Sequence, residues 1–340
     1  MQLTMFKTLF SLSLVGLLAA PAVAQNPNLV VYQGDKGPGH GKHIVFLSGD
    51  HEYRSEESLP ALARILAKHY GFKCSVFFTT DPKTGLIEPG SSNVTGLDAL
   101  KTADLLVVFL RFQDFPDDQM QHIADYLARG GPVVGFRTAT HAFQIKRPDA
   151  RFLKWDWQNK TEFPGGFGRQ ILGETWVSHY GTNHKQSSRL LLEPGELTHP
   201  ILRGVKDVHV QSGGYTANPI EGSHVLAHGQ ILDGMTPDSP PATGKEQMPV
   251  AWYRSYTYAP GKSGRVFTTT HGASEDLLNE GFRRMSVNAI LWAAGLEKSI
   301  KPDNDISLVG PFHPSTFAFG GFVKGVKPAD MAGWDTPIPK

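Results

Sequence analysis

The run Asp104-Leu-Leu-Val-Val-Phe-Leu110 has no polar residue after its first position. A strand with one wet face alternates apolar and polar side chains. One that does not alternate must be covered on both faces. This restricts the chain to a sheet held between two layers, and the neighbouring segments supply those layers. Lys42-His-Ile-Val-Phe-Leu-Ser48 reads as a first strand, Cys74 to Phe78 as a second and Pro132 to Gly135 as a fourth. A helix follows the first strand, with Leu59, Leu62, Leu66 and Tyr70 at helical spacing and Gly71 as its stop. Another opens at Pro116, places Met120, Ile123 and Leu127 on one side and stops at Gly130. Strands alternating with helices make a parallel sheet from right-handed crossovers. The expected fold is α/β, with a mainly parallel sheet.

In such sheets ligands bind beyond the carboxyl ends of the strands. Four polar segments follow expected strand ends. The most informative is Gly131-Gly-Pro-Val-Val-Gly-Phe-Arg137-Thr-Ala-Thr-His141-Ala-Phe143. Many α/β hydrolases place a nucleophile at such a strand-to-turn elbow. Here Arg137 stands there and the turn holds no Ser or Cys, so acyl transfer is not expected. Arg137 offers a rigid fork for carboxylate, phosphate or sugar hydroxyls. His141 is a candidate base and Thr138 a candidate substrate contact. An internal ion pair of Arg137 with Glu52 or Glu174 is the alternative.

The first strand runs into Asp50-His51-Glu52-Tyr53-Arg54. These groups suit acid–base work or metal binding. Asp50 and Glu52 serve equally as caps of the following helix, and Arg54 as an ion-pair residue. A third group lies further on: Glu174, Trp176, His179, Tyr180, Asn183 and His184. His179 and His184 are candidate ligands for a divalent metal such as zinc, which accepts imidazole and leaves one position open when catalytic. Trp176 and Tyr180 offer faces on which a sugar ring can stack. The fourth group is Thr268-Thr-Thr-His271-Gly-Ala-Ser274-Glu-Asp276, where His271 joins the candidate binding residues and Ser274 and Asp276 read as helix caps.

Residues 1–24 read as a secretory signal. Lys7 is their only charge, Leu9 to Ala20 is apolar, and Ala22-Val23-Ala24 fits the small-residue cleavage rule. Export to the periplasm or medium is expected, with no membrane span after cleavage near Ala24. Cleavage removes one of the 33 basic residues and none of the 32 acidic ones, so 32 of each remain. A neutral chain lacks the basic field that nucleic-acid binding requires. Cys74, the single cysteine, lies in an expected strand and reads as a buried core residue. Residues 42–298 form one α/β domain with an irregular insertion at about 144–225. Residues 299–340, rich in Pro and Gly, read as a tail over the surface.

Several segments resemble the trehalose-utilisation (ThuA-like) family: Leu47-Ser-Gly-Asp-His-Glu-Tyr-Arg-Ser-Glu-Glu-Ser58, Val134-Gly-Phe-Arg-Thr-Ala-Thr-His-Ala-Phe143, Gly168-Arg-Gln-Ile-Leu-Gly-Glu-Thr-Trp-Val-Ser-His179 and His199-Pro-Ile-Leu-Arg203. The exported, planctomycete-type branch is the most similar, down to a tail like Phe317-Ala-Phe-Gly-Gly-Phe-Val-Lys-Gly-Val-Lys-Pro328. The resemblance spans about residues 42–328. It implies a flavodoxin-like three-layer sandwich similar to class I glutamine amidotransferases, without their Cys. It also implies a role in disaccharide use, through 3-keto-glycosides supplied by a sugar 3-dehydrogenase, and a bound divalent metal. The chain departs from the family pattern at His51, where an acidic residue is expected, and at Tyr180-Gly-Thr-Asn183, which replaces a more His-rich loop.

These readings give an expected exported enzyme that cleaves or isomerises a 3-keto-glycoside. His141 or His179 is the base, Glu52 or Glu174 the acid, and Arg137 or a metal the enolate stabiliser. Asp50, Tyr53, Arg54, Thr138, Trp176, Tyr180 and His271 would contact the small carbohydrate. The alternatives are a non-catalytic sugar-binding protein on an amidotransferase-like scaffold and a metal-dependent hydrolase.

Overall fold

The computed structural model describes residues 26–339; the leader read over residues 1–24 lies outside the described residues. Strands β1 (Leu29–Gln33), β2 (His43–Gly49), β3 (Lys73–Phe78), β4 (Leu105–Leu110) and β5 (Val133–Phe136) lead the chain. They are followed by β6 (His179–Tyr180), β7 (Ser188–Leu192), β8 (His209–Val210), β9 (Gly214–Tyr215), β10 (His224–Ile231), β11 (Met248–Ala259) and β12 (Lys262–Thr269). Ten of them form one sheet in the order β1-β3-β2-β4-β5-β12-β11-β10-β7-β8, while β6 and β9 pair separately. The central five, β3-β2-β4-β5-β12, are parallel. Antiparallel pairing adds β1 at one edge and β11, β10, β7 and β8 at the other. The four strands expected from the apolar runs are β2 to β5. Val250–Tyr253 falls within β11, and Arg265–Thr270 largely within β12.

Helices α1 (Ser55–Tyr70) and α3 (Glu280–Ala293) cover one face, and α2 (Asp117–Ala128) covers the other. Along β4, Val107 and Phe109 pack with Leu62 and Met285, while Leu106 and Val108 pack with Met120 and Ile123. Successive side chains thus enter opposite cores, which is why this strand cannot alternate. Each fully buried aliphatic side chain contributes about 1.5–3 kcal/mol. Cys74 is fully buried as a free thiol, its pKa raised by burial. Gly71 ends α1 in the left-handed region (φ 81°), donating its N–H to the Ala67 carbonyl at 3.0 Å. Among the described residues no helix is long and apolar enough to cross a membrane.

The insertion is more ordered than its composition signals. It sends β7 and β8 into the main sheet and builds an aromatic core around the fully buried Trp155, with Phe143, Phe152 and Phe167 at 5.2–5.7 Å. Gly168 lies directly on the turn that follows β5. A Cβ there would sit 1.9 Å from the Thr140 carbonyl oxygen. Gly168→Ala is expected to cost about 1–3 kcal/mol, read as a lower denaturation midpoint.

The C-terminal segment is anchored rather than draped. Arg64 on α1 is fully buried and donates to the Thr336 carbonyl at 2.8 Å and the Met331 carbonyl at 3.0 Å. The Tyr32 hydroxyl also donates to Met331 O, at 2.8 Å. Upstream, Ser315 and Phe317 donate backbone N–H groups to Glu57 and Glu275. Beside them Glu56 is buried. Arg54 lies 3.4 Å away, yet burial outweighs that charge and pushes the Glu56 pKa up to about 8. A raised acid binds its proton more tightly when folded. Its stabilising effect is therefore full below about pH 4.5 and fades as pH rises towards 8, at up to about 1.4 kcal/mol per pH unit. Glu56→Gln should flatten that slope and unfold at higher denaturant than wild type at pH 8. Glu57 and Glu275, raised also by burial, keep part of the slope.

Candidate functional site at the carboxyl edge

The chain leaves β2 into α1 on one face and β4 into α2 on the other. The crossovers diverge beyond the carboxyl ends of these two strands, which is where sheets of this kind place a ligand crevice. His51, Glu52 and Tyr53 come from the β2 end, Arg111 and Phe112 from the β4 end, and Arg137 to His141 from the β5 end. The insertion closes the side with Trp157, Trp176, His179, Asn183 and Tyr215.

Arg137 is the floor. It takes the left-handed conformation (φ 42°), a strained one for a side chain with a Cβ. Its guanidinium is fully buried. NH1 donates to the carbonyls of Gly213 at 2.7 Å and Thr270 at 2.8 Å. The carbon lies 3.7 Å from the Tyr53 ring centroid and 4.8 Å from that of Tyr215. The cation is thus sandwiched between aromatic faces and makes no ion pair with Glu52 or Glu174. NH1 is held by backbone from below, while Nε and NH2 are buried without a partner.

His141 sits above this floor, 2 % exposed. Thr140 Oγ1 lies 3.2 Å from the Arg137 carbonyl and 3.1 Å from His141 Nδ1. The hydroxyl has one proton and gives it to the carbonyl. It must therefore accept from Nδ1–H, which leaves the lone pair on Nε2. Nε2 has no partner among the described residues. Burial, then Arg111 and Arg137, hold the His141 pKa well below its ordinary value. The ring is neutral at physiological pH and stands among Phe112 at 4.9 Å, Trp176 at 5.4 Å and Tyr215 at 5.6 Å.

A second set faces it. Asn183 Nδ2 donates to the Tyr53 hydroxyl at 3.1 Å, and that hydroxyl lies 3.1 Å from His179 Nε2. Asn183 takes only one of the hydroxyl's two lone pairs, so Tyr53 can also accept from His179 Nε2–H and keep its own proton free. Burial raises the Tyr53 pKa against the opposing pull of Arg137, so the phenol stays protonated. His179 is open to solvent on one side. On the other, burial and the guanidiniums of Arg137 and Arg111 pull it down to about 4. Arg111 NH1 lies 3.0 Å from Glu52 Oε2 and 3.3 Å from His51 Nε2, while its Nε has no partner. Burial, together with Arg111, lowers the His51 pKa.

The crevice therefore gathers His141, His179, Glu52, Tyr53 and Trp176, with Arg137 beneath. Other expected site residues lie elsewhere. Asp50 is buried within its own turn, accepting from the backbone N–H groups of Glu52 and Tyr53. Arg54 caps the start of α1, pairs with Glu56 and donates to the Ala318 carbonyl. Thr138 is wholly buried with an unpartnered hydroxyl. Glu174 is held by Arg169 at 2.5 Å and by the N–H groups of Thr175 and Asn218. Tyr180 turns outward, donating to the Glu246 carbonyl at 2.8 Å. His271 is fully buried beside Ser212, held at about 3 by burial and Arg137.

The donors do not fit a catalytic zinc. Among the described residues no three His, Cys, Asp or Glu side chains converge. His179 Nε2 is engaged by Tyr53, and His184 lies flat on Phe317, ring centroids 4.3 Å apart. No step below runs through a metal.

Sequence reading missed Arg111, Phe112 and Tyr215, while Trp157 was among the insertion aromatics that suggest sugar binding. Arg111 carried a usable signal, since it is the first residue after the apolar run ending at Leu110. The tail residues Phe317 and Phe319 were missed as well. Phe317 packs 4.9 Å from Tyr53, and Phe319 lies edge-on to His51 at 4.7 Å.

A parallel-centred sheet flanked by helices, with polar and aromatic side chains gathered at the strand-order switch, defines an α/β protein of the doubly wound kind. The description of the trehalose-utilisation (ThuA) family matches residues 43–293, and the chain belongs to that family. Similar solved structures include a putative ThuA-like protein of Bacteroides uniformis, 13% identical over 80% of this chain and 98% of that one, with a TM-score of 0.49. A putative ThuA-like protein of Parabacteroides merdae is 14% identical over 82% and 97%, with a TM-score of 0.44. No curated protein matches the chain.

Proposed function

We propose that this chain is an exported enzyme that acts on 3-keto-glycosides, abstracting the proton at C2 and expelling the group at C1. The observation that carries this reading is His141: a neutral, aromatic-walled imidazole whose hydrogen bonding leaves Nε2 as an unpartnered base. The family's description as trehalose utilisation supports a carbohydrate substrate; the 3-keto form is part of the proposal. A 3-keto group makes the C2–H acidic. His141 Nε2 takes that proton, and the C2–H electron pair moves into the enolate with its oxygen at C3. Arg111 stabilises the oxyanion; Arg137, its NH1 spent on two carbonyls, holds Tyr53 in place instead. The enolate then collapses to form the C1=C2 bond as the C1–O bond breaks. Tyr53, kept protonated by burial, gives its proton to the departing oxygen. Water then adds its hydroxyl to C1 and gives its proton to the Tyr53 phenolate while His141 returns its proton to C2, which restores both groups and completes a net hydrolysis. Glu52, paired with Arg111, aims the guanidinium and is no longer the acid, and Glu174 takes no part.

The rival reading is a sugar-binding protein without turnover, favoured by the aromatic walls Trp157, Trp176 and Tyr215. Proton NMR of glycosides and their 3-keto forms, incubated with the purified protein, separates the two. Cleavage of the keto forms alone supports the enzyme. Binding of unmodified sugars with no turnover supports the rival.

A further inference from the structure

We infer that Phe319 forms an outer subsite that stacks on the second ring of a two-ring glycoside, making the C-terminal segment part of the binding site. This rests on the carbohydrate reading above and extends it to the leaving group.

Phe319 is 69% exposed, the largest exposure among the large apolar side chains described. Leaving such a ring in water forgoes about 1.5–3 kcal/mol of burial. A loose tail would not hold it in place, but this segment is tied down. Gly320 N–H donates to the His51 carbonyl at 2.8 Å, and Ala318 N–H to the Glu52 carbonyl at 3.0 Å. Arg54 donates to the Ala318 carbonyl. Two residues back, Phe317 is buried between Tyr53 and His184. The neighbouring aromatics thus divide the work: Phe317 anchors and Phe319 is presented.

It is presented towards the crevice. Arg111 lies 4.9 Å from the Phe319 ring centroid and 5.1 Å from that of Phe112, and Phe112 is 4.9 Å from His141. One line of side chains therefore runs from the exposed ring to the base. A ligand whose first ring meets His141 has its second ring over Arg111 and Phe319. An apolar ring face is common to sugars and aryl groups, and either can be the second ring.

The test is calorimetric binding to the full chain of three probes: methyl 3-keto-glucoside, 3-keto-trehalose and 4-nitrophenyl 3-keto-glucoside. Phe319→Ala should weaken the two-ring probes about fivefold and change the one-ring probe less than twofold. Phe319→Trp should restore or tighten the two-ring probes. Weakening of only one two-ring probe would identify the second ring as sugar or aryl. Unchanged affinity, equal loss for all three probes, or no binding by wild type would overturn the inference. Failure of the catalytic reading shows differently, as intact differential binding with no proton exchange at C2.

Discussion

His141→Gln is expected to slow proton exchange at C2 of a 3-keto-glycoside by about 10²–10⁴-fold, the usual worth of a positioned base. Its fold should be retained. Gln fills much of the imidazole volume and can still donate to Thr140, so the turn on Gly168 need not move. The pH profile of the wild type carries the same claim. The unprotonated ring is the active form, and burial with Arg111 and Arg137 holds its pKa well below the ordinary value. The rate should therefore stay level as pH falls through 6.5, where an unperturbed histidine would be losing activity. His179, pulled down to about 4, stays neutral over the same range. A profile halved near pH 6.5, or a His141→Gln variant exchanging at the wild-type rate, would remove His141 from the role of base.

Arg137→Met is expected to lower stability by about 2–4 kcal/mol, because the Gly213 and Thr270 carbonyls lose their buried donor and the Tyr53 and Tyr215 rings lose the cation between them. The measurement is the denaturant midpoint. A second readout separates electrostatics from packing. Arg137 depresses His141, His179 and His271. Removing the charge should move all three imidazole pKa values upward in an NMR titration. Arg137→Lys keeps the charge and loses the fork, so it should retain low imidazole pKa values while losing part of the stability. Unshifted histidines in a folded Arg137→Met variant would show that burial alone sets their pKa.

The legible part of the structure followed from periodicity. Strands β2 to β5 and helices α1 and α2 announce themselves because their side chains must enter known faces. The strand-end rule then located His141, Tyr53, Glu52 and Arg137 with no knowledge of their contacts. It did not assign roles, which depend on partners far away in the chain. Arg137 is a case in point, since the carbonyls that engage its NH1 belong to Gly213 and Thr270. Glu174 looked available until the backbone N–H of Asn218, 44 residues on, and the nearer Arg169 engaged it. Strand β1 has only five residues and no following helix. The antiparallel half of the sheet lies in and after an insertion where turns, not periodicity, set the path. The tail was hardest to place. Its Gly and Pro content shows that it is not helical, but its docking depends on the buried carboxyl of Glu57 and the half-buried one of Glu275.

The central claim is that His141 removes a proton from C2. The direct measurement is proton NMR of 3-keto-trehalose in deuterium oxide with wild-type protein and with His141→Gln. The account predicts that the C2 proton signal disappears with wild type, during or before release of glucose, and persists with the variant. Cleavage without any deuterium entering C2, or equal exchange by both proteins, would contradict it.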